Sequence, residues 1–564
     1  MEAKWWHKAV VYQIYPRSFK DSNQDGIGDL RGIIEKVDYL VKLGINTIWL
    51  NPIFSSPNDD NGYDISDFRG IMADFGTMAD FDELVMVLKK NNIRLVMDLV
   101  LNHTSDEHPW FLEARKNKDN AYRDYYLWAQ GRGGKEPTNW ESFFGGSLWE
   151  HDVRTDEYYL HLFSKKMPDL NWSSSKLRNE MYEIANFWAE KGVDGFRIDA
   201  VVHIDKDSSY PQADNPGGRP YVMADYYYAN RPAVHDYCQE FYREVLAGKE
   251  IMTVGEAASA TIEEALKYTA PEREEFNMII TFEAISFDID ASLNPAVPPK
   301  WTQKRPDLCE MKRVWMKWQD GLYGKGWNTL YWNNHDVPRV VSRYGNTETY
   351  HKESAKMLAT LLYFFWGTPY ILQGEEIGMT NVAFAELADY RDVEIETFYR
   401  EALATGKVTH DQAMAMIHAR SRDNARTPMQ WDATPQAGFS QVNPWMKVNP
   451  NYQTINVAAN LADADSIFYH YQKIIALRTK SVYSDVITYG KTTLLLADDE
   501  HIFAYTREYG QQKLLVVVNF FETPQVVDLP FDVQSIILQN YAEVKQSTKQ
   551  LTLRPYEAIV YVVQ

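Results

Sequence analysis

Between residues 10 and 372 the chain repeats one pattern. A short, nearly uninterrupted apolar run is followed by a stretch with apolar residues at helical spacing. Strands buried on both faces are apolar throughout, and the helices covering them are amphipathic, so this alternation predicts a parallel sheet wrapped by helices. The runs lie at 10–15, 46–50, 94–98, 193–198, 251–255, 277–282, 329–332 and 369–372. Eight of them predict a closed (β/α)8 TIM barrel. A doubly wound open sheet is the alternative, but the Gly-rich phosphate fingerprint that often accompanies it is missing. Helices are predicted over 30–43, closed by Gly44, and over 81–90, 176–191 and 231–247.

The alternation breaks twice. Residues 105–172 are polar, aromatic and Gly-rich, too long for a plain loop, and predict an inserted domain. Past about residue 480 the texture becomes that of short alternating strands. The predicted organisation is a barrel over 1–104 and 173–480, an inserted domain over 105–172, and a C-terminal β-sandwich over 481–564.

Charge narrows the function classes. The 78 acidic and 58 basic side chains give a net charge of −20, which repels phosphate backbones and anionic lipid, so neither nucleic acid nor membrane is an expected partner. No run of about 18 apolar residues is present to span a bilayer. Two cysteines, Cys238 and Cys309, are too few for a disulfide framework, and the first residues lack the apolar core of a signal peptide, so a cytoplasmic location is expected. Aromatic residues make up 14% of the chain; they serve either a large core or platforms for sugar rings.

In a (β/α)8 barrel, catalytic groups sit where strands end at the C-terminal face. Here the third run leads into Asp98-Leu-Val-Leu-Asn-His103, the fourth ends in Arg197-Ile-Asp199, the fifth in Gly255-Glu256 and the seventh in Asn334-His335-Asp336. A single carboxylate at a strand end is readily a helix cap or an ion-pair partner. Several acids with two histidines crowd like charges into one cleft, an arrangement that function explains better than stability does. A second motif, Asp21-Ser-Asn-Gln-Asp-Gly-Ile-Gly-Asp29, spaces oxygen ligands at alternate positions with glycines for tight turning. That is the logic of a calcium loop, with a solvated acidic turn as the alternative.

These motifs, with Gly195-Phe-Arg-Ile-Asp-Ala200, Val254-Gly-Glu256 and Asn333-Asn-His-Asp336, resemble in order and spacing the signature regions of glycoside hydrolase family 13, the α-amylase family. Val11-Tyr-Gln-Ile-Tyr-Pro-Arg-Ser-Phe19 and Arg422-Asp-Asn-Ala-Arg-Thr-Pro-Met-Gln-Trp431 look like its oligo-1,6-glucosidase and α-glucosidase branch. The resemblance implies Asp199 as nucleophile, Glu256 as general acid/base with a raised pKa, and Asp336 as the third acid, which binds sugar hydroxyls. A period of two puts Arg197 on the same side of its strand as Asp199, where a cation holds that carboxylate ionised. The resemblance further implies His103 and His335 as hydroxyl donors, Tyr63 as a stacking platform, and Asp60, Phe163 and Arg426 as pocket walls that make the enzyme exo-acting. It implies a structural Ca2+ or Mg2+ on Asp21, Asn23, Asp25, Asp29 and the Ile27 carbonyl, and no cofactor for catalysis.

Two positions depart from the branch pattern. Ala200 stands where Val accompanies α-1,6 cleavage and a small residue accompanies α-1,4 cleavage, and Met167 stands where oligo-1,6-glucosidases usually carry Gln. The expected activity is therefore a retaining exo-α-glucosidase acting on α-1,4-linked oligosaccharides such as maltose and maltotriose. The alternatives are an oligo-1,6-glucosidase acting on isomaltose, then a trehalose-6-phosphate hydrolase or a sucrose isomerase, and, outside enzymes, an inactive family-related binding subunit. The expected partner is a small oligosaccharide, and the expected assembly a monomer or weak homo-oligomer.

Overall fold

The computed structural model describes residues 2–290, 292–543 and 550–564. Each of the eight predicted runs is a strand: β1 (Val11–Ile14), β2 (Thr47–Leu50), β3 (Arg94–Val100), β4 (Gly195–Asp199), β5 (Met252–Glu256), β6 (Met278–Ile280), β7 (Thr329–Leu330) and β8 (Thr368–Leu372). They belong to one sheet in the order β6-β5-β4-β3-β2-β1-β8-β7, the cyclic order of a (β/α)8 barrel. Their side chains are buried almost without exception, which is why the runs read as continuously apolar.

The predicted helix over 30–43 is two helices. Asp29 caps Leu30–Glu35 by accepting from the Gly32 N–H, and Gly44, at φ 97°, closes Val37–Leu43. Lys36 leaves helical geometry between them, with its Nζ 4.4 Å from the centre of the Trp431 ring. The helix predicted over 231–247 runs as Pro232–Phe241 and then widens into a π-helical turn, Tyr242–Leu246.

Three short strands, Trp128–Ala129, Trp149–Asp152 and Glu157–Leu160, form an antiparallel sheet within the segment 105–172. Three strands bury only one face, and the rest of that core comes from beyond residue 172. Ala213, Ala224 and Tyr228 pack with Trp140, Leu148, Trp149 and Leu160, and the Trp140 indole donates to the Pro211 carbonyl. A helix pair, Val393–Ala404 and His410–Arg420, follows β8 with its own apolar core around Trp301, Phe398 and Ile417. At the C-terminal end, residues 484–489 form a helix, and strands begin at Lys491. A five-stranded antiparallel sheet and the pair Gln525–Asp528 with Gln550–Leu553 share one core of Ile502, Leu515, Val517, Val527, Leu551 and Tyr561, as a β-sandwich requires.

The chain divides into two compact units: Met1–Ile48, Met86–Arg94 and Phe282–Gln564 in one, and Trp49–Val85 with Leu95–Thr281 in the other. The side chains expected to carry chemistry fall into two groups, one in each unit.

Candidate active site

In the unit that holds β3, β4 and β5, strand register builds the site. Asp98 of β3 and Val254 of β5 are both level with Arg197 of β4. Two residues on, Asp199 lies on the same face as Arg197. The buried guanidinium then reaches three carboxylates: Nη1 donates to Asp98 Oδ1 at 2.6 Å and to Asp199 Oδ1 at 2.7 Å, and Nη2 donates to Glu256 Oε2. Burial works against the Arg197 charge, but Asp98 and Glu256 outweigh it and raise its pKa well above the ordinary range. Asp98 is fully buried and pushed up to about 6 by that burial, against the pull of Arg197. Its Oδ2 accepts from the Trp49 indole at 2.8 Å and the Tyr63 hydroxyl at 3.3 Å. The contact with Arg197 stabilises Glu256 as a carboxylate. An acid role therefore requires Glu256 to leave the guanidinium, which the expectation of simple crowding by carboxylates did not include.

A loop with three left-handed residues, Asn58, Asn61 and Gly62, presents Asp60 and Tyr63. It is organised by the buried Asp64 carboxylate, which accepts from the Asp59 and Asp60 N–H groups and the Ser56 hydroxyl. Asn51 holds the Tyr63 hydroxyl at 2.8 Å. His103 is buried, with the Phe163 ring edge-on at a centroid distance of 5.2 Å. Met167 is buried in the Ser164–Met167 turn. Ala200, the first residue past β4, is left-handed at φ 45°, ψ 32°, so strand alternation stops at Asp199. The Ala200 N–H points at Glu256 Oε2 from 3.5 Å.

In the other unit, the segment after β7 carries the remaining group. His335 Nε2 lies 3.1 Å from Asp336 Oδ2, and its Nδ1 lies 2.9 Å from the Gln13 amide. Arg426 donates through Nε to the His335 carbonyl at 2.9 Å and through Nη2 to Asp336 Oδ1 at 3.0 Å. Arg422 approaches the same oxygen at 3.4 Å while forking onto Asp392. Burial disfavours the Asp392 charge, but Arg422 reverses this and lowers its pKa. Asp336 Oδ1 thus faces two guanidiniums.

The Asp21–Asp29 loop offers oxygen donors only, which suits a hard cation. In the structure its acids bind their own chain. Asp21 accepts from the Asn23, Gln24 and Gly26 N–H groups, Asp25 from Ile27, and Asp29 from Ser22 and Gly32. Among the described residues no three His, Cys, Asp or Glu side chains converge as a metal cage, so an ion here would have to draw these oxygens together.

Sequence reasoning passed over Lys206, whose ammonium lies 2.7 Å from both Asp169 Oδ2 and Asn102 Oδ1. It also passed over Glu375 and Glu376 after β8. The strand-end rule that singled out Glu256 points to these two glutamates as well; nothing in sequence flags a buried lysine.

Residues 13–490 match the family model of the α-amylase catalytic domain, and residues 502–560 match the α-amylase SusG C-terminal domain. An oligo-1,6-glucosidase of Parageobacillus thermoglucosidasius is 52% identical over 100% of both chains. An α-glucosidase of Pediococcus pentosaceus is 48% identical over 99% of both. The crystal structure of a trehalose-6-phosphate hydrolase of Bacillus licheniformis superposes with a TM-score of 0.93 at 44% identity, covering 100% of each chain. Among the described residues no helix is long and apolar enough to cross a membrane.

Proposed function

Because the chain belongs to the α-amylase family of glycoside hydrolases, we propose that it is a retaining, exo-acting α-glucosidase of short gluco-oligosaccharides, with α-1,6-linked substrates such as isomaltose preferred. Asp199 attacks the anomeric carbon while Glu256, protonated, gives its proton to the leaving oxygen. Water, deprotonated by Glu256, then releases α-glucose from the glucosyl-enzyme. Asp336, His103 and His335 bind ring hydroxyls, Tyr63 stacks under the ring, Phe163 and Met167 line the pocket, and Asp60 and Arg426 hold the non-reducing end. The observation that carries this reading is the Arg197 fork, which gives the proposed nucleophile a cationic partner through a 2.7 Å hydrogen bond.

The linkage assignment rests on the end-to-end likeness to an oligo-1,6-glucosidase. It replaces α-1,4 as the leading expectation. The α-1,4 reading keeps two supports, the small side chain of Ala200 and Met167 where oligo-1,6-glucosidases usually carry Gln. Turnover of isomaltose, maltose, sucrose and trehalose-6-phosphate measured side by side decides among them. We expect the highest kcat/KM on isomaltose; a preference for maltose returns the assignment to α-1,4. In the same assay Asp199→Ala should be inactive and partly rescued by azide, giving β-glucosyl azide. Retained activity without azide would remove Asp199 from its role.

A structural Ca2+ or Mg2+ on Asp21, Asn23, Asp25, Asp29 and the Ile27 carbonyl is part of the proposal, as is a cytoplasmic setting for a chain whose cysteines are both unpaired. Chelation should lower the melting temperature, and re-added calcium or magnesium should restore it, since an ion at a hundredfold excess over Kd adds about 3 kcal/mol of stability. An unmoved melting temperature means that the loop is only a turn.

A further inference from the structure

We propose that Lys206 is a positioning residue that fixes which nitrogen of His103 carries the proton, an inference that rests on the reading of His103 as a donor to a sugar hydroxyl. The chain of contacts is short and one-directional. The Lys206 side chain is buried, with Nζ 2.7 Å from Asp169 Oδ2 and 2.7 Å from Asn102 Oδ1. Asp169 is itself anchored, since its Oδ1 accepts from the Leu162 N–H at 3.1 Å.

An ammonium only donates, so the end of the Asn102 amide that faces Lys206 must be the carbonyl oxygen. Charge, rather than a choice between two similar atoms, sets the amide orientation. The other end, Nδ2, lies 3.2 Å from His103 Nδ1. An NH2 group also only donates, so Nδ1 must present its lone pair, and the ring proton belongs on Nε2. Both the opposite tautomer and the imidazolium would set an Nδ1–H against the amide hydrogens.

The consequence falls on Nε2, which is buried. Burial lowers the ring pKa to about 4, so at neutral pH the ring is uncharged and the tautomer decides whether this nitrogen donates or accepts. With Nε2–H it donates, as a sugar oxygen requires. Asp169 raises the ring pKa and Lys206 lowers it by charge, and a backbone hydrogen bond with Tyr63 also raises it. Lys206 thus acts two contacts away from the substrate.

The test is two-bond 1H–15N correlation on protein labelled with 15N-histidine, with His103→Ala identifying the signal, combined with a double-mutant cycle in kcat/KM on isomaltose. In the wild type, His103 should show a protonated Nε2 and a bare Nδ1. Lys206→Met should populate the Nδ1–H form and lower kcat/KM by about 10- to 100-fold, and it should cost nothing further in the His103→Ala background. Lys206→Arg, which still only donates, should keep the Nε2–H form.

An Nδ1–H signal in the wild type would overturn the proposal, and so would an undiminished cost of Lys206→Met when His103 is absent. If Lys206→Met leaves Asp169 unpaired and does not fold, the double variant Lys206→Met/Asp169→Asn carries the same test. Full activity of His103→Ala would refute the substrate role of His103, while the nitrogen signals still decide what Lys206 does.

Discussion

Asp98, Asp199 and Glu256 share one guanidinium, whereas Glu375 and Glu376 are surrounded by hydroxyls. Glu375 accepts from Tyr363 and Tyr471 and, at 3.0 Å, from Asn333. Glu376 accepts from Tyr12 at 2.7 Å and Tyr39 at 2.5 Å. The guanidinium of Arg339 acts on both glutamates through space but spends its N–H groups on the carbonyls of Gln373, Asn424 and Ala425. The first cluster lies within or at the ends of barrel strands and the second just after one, and their acids are wholly or largely buried. They differ in what neutralises them. A guanidinium opposes the effect of burial on a carboxylate, although Asp98 still stands at about 6, whereas hydroxyls donate to a carboxylate without matching its charge. Burial accordingly pushes Glu375 up to about 7. The groups that face an acid at a strand end therefore say more about it than its place in the strand.

The comparison breaks most severely at Arg197. Arg197→Met would leave acids buried with no cation, costing about 3–5 kcal/mol in denaturant unfolding together with all measurable turnover. Near wild-type stability would mean that the cluster does not depend on its guanidinium.

Glu375→Gln sharpens the other side through pH. The unfolded carboxyl ionises near 4.5 and the folded one near 7. The unfolded state therefore gives up its proton first, and Glu375 removes stability as pH rises through that window. Relative to the variant, the wild type should lose about 3 kcal/mol between pH 4.5 and 7, read from melting temperatures. A constant difference across the window would mean that Glu375 is charged throughout. The smallest effect should come from Tyr39→Phe, which removes one of two hydroxyls at Glu376 and should cost about 1–3 kcal/mol with kcat/KM unmoved. A larger fall in activity than in stability would tie this cluster to the chemistry.

The same contrast explains what could be read from sequence. Strands whose residues are all apolar announce themselves, so all eight were legible, as was the position of Asp199 and Glu256 at the ends of two of them. The break at Lys36 was not legible, because the apolar spacing runs on through it while the backbone turns. The helix pair Val393–Ala404 and His410–Arg420 was missed although Thr409 and Gln412 form a capping box, since it lies where the strand–helix alternation has already ended. Lys206 reads as an ordinary surface lysine; only the fold pairs it with Asp169 and Asn102. Hydroxyl partners were equally hidden, because Tyr39, Tyr363 and Tyr471 read as core aromatics whether or not they hold a glutamate.

Ala200, at φ 45° and ψ 32°, has a consequence for how such a protein changes over generations. The left-handed region costs a residue with a Cβ roughly 1–2 kcal/mol and is a genuine outlier for a branched side chain. A step from Ala to Val at this position is therefore a change of main chain as much as of bulk. The peptide that would have to turn joins Asp199 to Ala200, and its N–H faces Glu256. A change of main chain at Ala200 would therefore move, along with the side chain, the N–H that faces Glu256.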